Sequence, residues 1–335
     1  MVTPKVAGNI VTFNSADDIR ACLESIRAQT FPNYRIHIFD NASVDETLKA
    51  IEPFEVDYLV HSPVNVGFCK AHNDLAQQFP SEYVLCLNPD TILRPLFIEE
   101  LVRALDARPD AASASGKLLR MDGKTIDSTG IIMRREQRHL DRGAGELDTG
   151  QFDEPGEIFG PSAAAALYRR RALEDTAING RYFDEDFFAY REDADLAWRA
   201  QLMGWHCLYT PKAVAWHVRR VTPERRKQLP HEINWHSVKN RFIMRAKNIS
   251  WPLYRHCFLH TSFRDAEVIG YCLLIDRKLA SALANVWKLR RDLKRKRLII
   301  QSRRRVSDRQ LVRWFCGKAA SFAPSCRVEE KENSD

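Results

Sequence analysis

Four short apolar runs rich in β-formers, at 6–13, 34–39, 58–61 and 83–87, each give way to Asn or Asp. They lead into Asn14-Ser15, Asp40-Asn41, the Asn65-Val66-Gly67 stretch and Asn88-Pro89-Asp90. Between them apolar residues recur at helical spacing: Ile19, Leu23 and Ile26, then Leu48 and Ile51, then a segment from Ala71 to Phe79. Ser15 with Asp18 and Ser43 with Glu46 read as capping-box starts for the first two helices. Short strands alternating with helices predict an α/β fold with a doubly wound, mostly parallel sheet. Ligands of such sheets bind beyond the carboxyl ends of the strands. The polar ends Thr12-Phe13-Asn14, Asp40-Asn41, Asn65-Val66-Gly67 and Asn88-Pro89-Asp90 therefore converge on one rim, and that rim is the expected ligand site.

The 335 residues suffice for one large domain with an appendage. The reading divides them into a catalytic domain over 1–245, with a donor half to about 112 and an acceptor half from 113. A basic helical region follows over 246–322, and then a disordered tail, 323–335. The stretch 113–156, polar and dotted with glycine, predicts short strands and a mobile loop. Beyond 246 the leucines at 273, 274, 279, 283 and 289, with Val286, mark an apolar helical face. The net charge of +7 is concentrated there: residues 246–335 hold 20 Lys and Arg against 9 Asp and Glu. The remainder is mildly acidic, which argues against a nucleic-acid-binding main domain. Eight cysteines without Cys-x-x-Cys spacing suggest a reducing, cytoplasmic setting. No run is long and apolar enough to span a bilayer.

Three segments carry candidate chemistry. Asp90 ends a buried strand, where a rigidly held carboxylate can bind a hard cation that grips a diphosphate; a plain Pro-Asp turn is the competing reading. Glu192-Asp193-x-Asp195 sits among aromatics, where burial and like charge shift a carboxyl toward general-base duty. The same acids also suit a helix start, with Asp195 and Arg199 as an i,i+4 pair. Asp195 and Arg199 are therefore assigned to structure and Asp193 to chemistry. His217 closes an apolar run and is either a metal ligand or a packed imidazole.

In this order and spacing the segments resemble the GT-A glycosyltransferases of family 2, and among them the rhamnosyltransferase-like branch. The resemblance runs over residues 5–250. It is carried by Val-Thr-Phe-Asn at 11–14, Asp40-Asn41-Ala42-Ser43-x-Asp45, Asn65-Val66-Gly67-Phe68 with Asn73, Leu87-Asn88-Pro89-Asp90, the segment 183–196 and His217. It implies a Rossmann-like nucleotide-sugar-binding sheet. Asp40 would meet a pyrimidine base, with Asn14, Asn41 and Asn65 along the nucleoside and sugar, and Thr12, Gly67, Asn73 and Asn88 completing the donor side. Asp90, with His217 as second ligand, would hold Mg²⁺ or Mn²⁺. Asp193, beside Glu192, would be the general base that deprotonates an acceptor hydroxyl and inverts the anomeric centre. The implied donor is dTDP-rhamnose, with uridine-diphosphate sugars next, and the acceptor a bacterial cell-surface glycan or its lipid-linked precursor. Three departures stand out. Asn88 replaces the usual first acid, Arg219 and Arg220 follow His217 as candidate diphosphate contacts, and 160–166 is unusually small. Gln310-Leu311-Val312-Arg313-Trp314 spells the Gln-x-x-Arg-Trp of processive synthases, but far beyond Asp193; single addition is expected.

The run 288–305 reads as a basic amphipathic helix suited to an anionic lipid surface at the inner face of the plasma membrane. Lys294, Arg295, Lys296 and Arg297 are its candidate contacts; the alternative is a solvated helix packing its leucines on the catalytic domain. Two rival functions are a non-catalytic nucleotide-sugar-binding subunit and a nucleic-acid binder using the basic end. Intact Asp90 and Asp193 speak against the first, and the lack of interleaved aromatics against the second.

Overall fold

The computed structural model describes residues 3–219 and 230–315. Arg220 and the 323–335 tail lie outside these residues. The strands are β1 (Val6–Thr12), β2 (Tyr34–Asp40), β3 (Tyr58–His61), β4 (Tyr83–Leu87), β5 (Thr91–Leu93), β6 (Ala111–Leu119), β7 (Ile126–Ser128), β8 (Ile131–Met133), β9 (His139–Asp141), β10 (Gly156–Ile158), β11 (Ala165–Arg169) and β12 (His206–His217). The helices are α1 (Ile19–Arg27), α2 (Thr47–Ile51), α3 (Phe68–Gln78), α4 (Phe97–Ala107), α5 (Arg170–Thr176), α6 (Glu192–Leu202), α7 (His231–Asn248), α8 (Trp251–Gly270), α9 (Ala280–Lys288), α10 (Arg290–Ser302) and α11 (Asp308–Val312).

The main sheet runs β10-β12-β6-β11-β4-β1-β2-β3, with β5 on β12 and β7 on β6. Strands β3, β2, β1 and β4 are mutually parallel, as their alternation with α1–α3 predicts. Strand β11 then inserts antiparallel between β4 and β6, which makes the sheet mixed. Strands β4, β6 and β11 are buried along their whole length because helices cover both faces. One core lies under α1 and α4, and a second joins the other face of the sheet to α6, α7, α10 and α11.

Three expectations need correction. Neither serine caps a helix: α1 starts at Ile19 after an Asp18 whose side chain makes no capping bond, and Glu46 precedes α2 likewise. Instead the two loops lock together, Asn14 N donating to Ser43 Oγ (2.9 Å) and Ser15 N to Thr47 Oγ1 (2.7 Å). The stretch 113–156 does hold the expected short strands, β7 to β9, but it opens inside β6 at the centre of the sheet, and Lys117 pairs with Asp148 and Asp153 at its far end. The boundary at 245 falls inside α7, whose Lys247 binds Asp184 and Asp195 at the heart of the second core.

The basic run also differs from a free amphipathic helix. Lys296 is buried and paired with Asp184, Asp186 and Asp292, and Arg297 donates to the carbonyls of Ala246 and Ile249. Only Lys294 and Arg295 of the four candidate contacts face outward, and Arg295 pairs with Asp292. The physical reason is the buried carboxylate Asp184: charge at that depth requires partners, and α7 and α10 supply them. No helix among the described residues is long and apolar enough to cross a membrane.

Candidate active site

A cleft of about 620 Å³ opens at the carboxyl ends of β1 and β4. Asn14, Asn88 and Asp90 line it from the sheet rim, His217 and Arg219 from the end of β12, Glu192 and Asp193 from α6, and Arg138, His139 and Asp141 from β9 and the turn before it. Asp90 reaches His217 because β5 turns back onto β12: Thr91 lies opposite His217, and Val218 N donates to the Asp90 carbonyl (2.9 Å). The His217 Nε2 atom then stands 3.3 Å from Asp90 Oδ1, and Nδ1 lies 2.7 Å from Asp127 Oδ2. Burial opposes charge on this ring, but the hydrogen bonds and charges of Asp127 and Asp90 raise its pKa to about 9. Burial also opposes charge on Asp127, yet His217 and Arg219 hold its carboxyl below the ordinary range. Arg219 bridges Asp127 (3.0 Å) and Asp141.

Across the cleft, Glu192 and Asp193 form the first turn of α6. Asp193 Oδ1 accepts from Ala194 N (2.7 Å) and Oδ2 from Ala163 N (3.4 Å). Burial, then the charge of Asp141, raises its pKa to about 6. Burial, then Asp193, pushes Glu192 well above the carboxylate range, and its buried Oε2 has no hydrogen-bond partner. Ser162, Ala163 and Ala164 line the wall beside Asp193, and their small side chains keep the space open. Asp195 and Arg199 are fully buried and paired at 3.0 Å, the structural assignment expected of them.

The turn that delivers α6 is strained. Phe188, Tyr190 and Arg191 all have left-handed φ of 65°, 70° and 73°, which non-glycine residues seldom adopt. Asn240 of α7 stabilises it: buried, its Nδ2 donates to the carbonyls of Phe187 (3.0 Å), Ala189 (2.7 Å) and Tyr190 (2.8 Å). Gly67 closes the other side, at φ 85°, where a Cβ would fall 2.5 Å from the Phe188 ring. Thus Gly67 shapes the donor-side loop against the turn that carries the acids.

The remaining predicted donor residues sit in or behind the rim. Asp40 is fully buried, accepting from Thr12 Oγ1 (2.8 Å) and Ser43 N (3.1 Å) and lying 2.7 Å from His61 Nδ1. Asn41 Oδ1 accepts from Val66 N (2.7 Å), and Asn65 Oδ1 from Gly67 N (2.9 Å). Asn73 is buried behind the rim, its carboxamide bonded to Tyr182, Phe183 and Glu185, so it braces the segment leading to the acids. Unforeseen from sequence are Asp127, Asp141, Arg138, His139, Arg191 and Asn240. Arg191 Nη1 approaches His139 Nδ1 at 3.1 Å, and burial, then the neighbouring arginines, keeps that imidazole well below its ordinary pKa. Of these only Arg191 adjoins a recognisable motif; the others lie in segments with no periodic or spacing signal.

Could this wall hold a divalent cation? No group of three or more His, Cys, Asp or Glu arranged for a metal occurs among the described residues. Asp90 and His217 nevertheless offer an oxygen and a nitrogen at the cleft, and Asp127 fixes the imidazole from behind, the usual support for a metal-bound histidine. Two protein ligands suit a cation that completes its shell with substrate phosphate and water, so the residues present fit Mg²⁺ or Mn²⁺.

A mixed sheet with a parallel core, with an acid–imidazole pair on one wall of the cleft and a buried acid pair on the other, has the architecture of a GT-A glycosyltransferase. Residues 9–176, half of the chain, match the family described as glycosyl transferase family 2, and the chain belongs to that family. It is 24% identical over 300 residues to the poly-beta-1,6-N-acetyl-D-glucosamine synthase of Staphylococcus epidermidis, covering 79% of this chain and 66% of that protein. The chain thus spans just under two thirds of that relative's length. Among solved structures, residues 1–349 of S. aureus TarS in complex with UDP-GlcNAc superpose with a TM-score of 0.55 at 16% identity, covering 89% of each chain. The mannosyltransferase PcManGT from Pyrobaculum calidifontis, in complex with GDP-Man and Mn²⁺, gives 0.52 at 16% identity, covering 86% of this chain and 76% of its own. At such identities the likeness concerns the fold.

Proposed function

We propose that this protein transfers a sugar from a nucleotide-sugar donor to a hydroxyl of a cell-surface glycan or its lipid-linked precursor, with inversion and with help from a divalent cation. The observation that carries the reading is one cleft with Asp90 and His217 on one wall and Asp193 on the other. A bound Mg²⁺ or Mn²⁺ would neutralise charge on the departing nucleoside diphosphate. Asp90 and His217 are the proposed ligands, and His217 must shed its proton to serve. Arg219 adds a fixed positive charge to that wall. Asp193, oriented by the amides of Ala163 and Ala194, takes the acceptor hydroxyl's proton as the oxygen attacks the anomeric carbon. Burial and the neighbouring Asp193 disfavour charge on Glu192, which favours Asp193 as the carboxylate that takes the proton.

For the donor, the named relatives favour a uridine-diphosphate N-acetylhexosamine over the dTDP-rhamnose expected from sequence. TarS was solved with UDP-GlcNAc, and the Staphylococcus synthases are named for an N-acetylglucosamine polymer. Exposed Asn65 remains on the proposed nucleoside side, with Asp40 and Asn41, buried behind the rim, holding its loops through Ser43 N and Val66 N. Single addition is the proposed mode: Gln310 caps α11, and Trp314 bonds Gln201 and packs on Phe159, away from the cleft lining.

The test is nucleoside diphosphate release from a panel of nucleotide sugars with Mn²⁺ or Mg²⁺, alongside Asp193→Asn and Asp90→Ala. Release confined to one or two donors and lost in both variants supports the reading. Metal-dependent donor binding with no turnover on any acceptor, unchanged in Asp193→Asn, would instead favour a non-catalytic binding protein.

A further inference from the structure

We infer that α8 and the turn after it form a docking face for an anionic lipid surface, distinct from the basic run of α10. Helix α8 is twenty residues long and buries Leu253, Cys257 and Thr261, positions four apart that form one narrow strip. A globular surface helix would be polar on the opposite side. Here that side carries Trp251, Phe258, Leu259, Phe263 and Ile269, with Leu259 76% and Phe263 70% exposed. The apolar character continues through Tyr271, Leu273, Leu274 and Ile275, where the helix widens into a π-turn and Leu274 is 79% exposed. A contiguous exposed surface of this kind marks an interaction site.

Its charge selects the occupant. Two of the acids of this segment are paired within the protein, Asp265 with Arg241 and Arg245 and Glu267 with Arg264, and the third, Asp276, lies 3.8 Å from His231. Arg255 rises from the apolar face itself, and Arg277 and Lys278 follow Ile275 after the single acid Asp276, all three cations exposed. Aromatic and aliphatic side chains interspersed with cations match the boundary of an anionic bilayer, where rings enter the interface and Arg and Lys meet phosphates. A second copy related by a two-fold axis would set this basic patch against the same basic patch.

The position also suits the work. Thr261 Oγ1 donates to the Arg135 carbonyl (3.3 Å), and the turn holding Arg135 continues into Arg138 and His139 of the cleft. A lipid-borne acceptor held at this face would enter beside β9. That purpose rests on the proposed lipid-linked acceptor; the docking itself is measured without any sugar.

The experiment is co-sedimentation of the full chain with vesicles of phosphatidylcholine, alone or mixed with phosphatidylglycerol, with donor hydrolysis measured on the same samples. Wild type should pellet with the anionic vesicles and remain in solution with phosphatidylcholine alone. The triple variant Leu259→Glu, Phe263→Glu, Leu274→Glu should lose this binding while keeping its thermal midpoint and donor hydrolysis. Arg255→Glu with Arg277→Glu and Lys278→Glu should lose it as well. Wild type that ignores both vesicles, or a triple variant that still pellets, overturns the inference. So does a wild-type dimer, seen by light scattering, that the triple variant converts to monomer. Vesicle binding by a protein that turns over no donor on any acceptor would leave the docking face standing while counting against the proposed transfer.

Discussion

His217 Nδ1 lies 2.7 Å from Asp127 Oδ2, deep in the wall of the cleft. Asp127 holds the imidazole so that Nε2 points at Asp90, and both carboxylates act through that ring. The arrangement couples a strand from the supposed loop region to the two candidate metal ligands. Asp127→Asn should therefore weaken the response to metal by about 10- to 100-fold. Mn²⁺ titrations of nucleoside diphosphate release would show a rightward shift, with maximal turnover at saturating metal reduced less.

The carboxyl of Asp193 has its pKa raised to about 6 by burial and by Asp141. Below that pH it is protonated and cannot accept a proton, so kcat/KM should rise with pH through a limb near 6 at saturating metal. Asp141→Asn removes a negative neighbour, makes ionisation easier and should move the limb to lower pH. Asp193→Asn should cost about 10²- to 10⁴-fold in turnover at every pH. A limb that stays in place in Asp141→Asn would contradict this electrostatic account.

Asn240 supplies donors to three carbonyls of the left-handed turn ahead of Glu192. Asn240→Asp keeps the shape but loses those donors, and should destabilise the fold by about 1–3 kcal/mol in urea melts. Because the turn aims Asp193, kcat should fall more than donor affinity, which isothermal titration with nucleoside diphosphate can separate.

Lys296 lies among Asp184, Asp186 and Asp292. Burial disfavours the charge on Asp184, but Lys247 and Lys296 keep its carboxyl far below the ordinary range. Removing one cation from such a buried set leaves charge unpaired, so Lys296→Ala should cost about 3–5 kcal/mol of stability. Lys294→Ala, on an exposed position of the same helix, should stay within about 0.5 kcal/mol. Equal effects in chemical denaturation would mean that α10 is only loosely held.

Local pattern in the sequence determined much of this protein. The apolar runs with polar ends specify β1–β4, their helices and the rim, because strand period and turn chemistry are written in adjacent residues. The acidic segment at 192–195 and the strand-end Asp90 were readable for the same reason. What only the tertiary structure decided is which distant groups meet. Strand β6 looked irregular because its Ser, Ala and Gly are small, and burial between β11 and β12 makes that smallness a packing requirement: a Cβ on Gly116 would fall 2.2 Å from the Ala213 carbonyl. Asp127 and Asn240 carry no periodic signal, and their roles exist only through partners far along the chain. The basic run misled by composition, since charge counts do not reveal which lysine is drawn inward by a buried carboxylate. The outward face of α8 was likewise hidden, because an apolar residue in a sequence does not say whether the fold covers it.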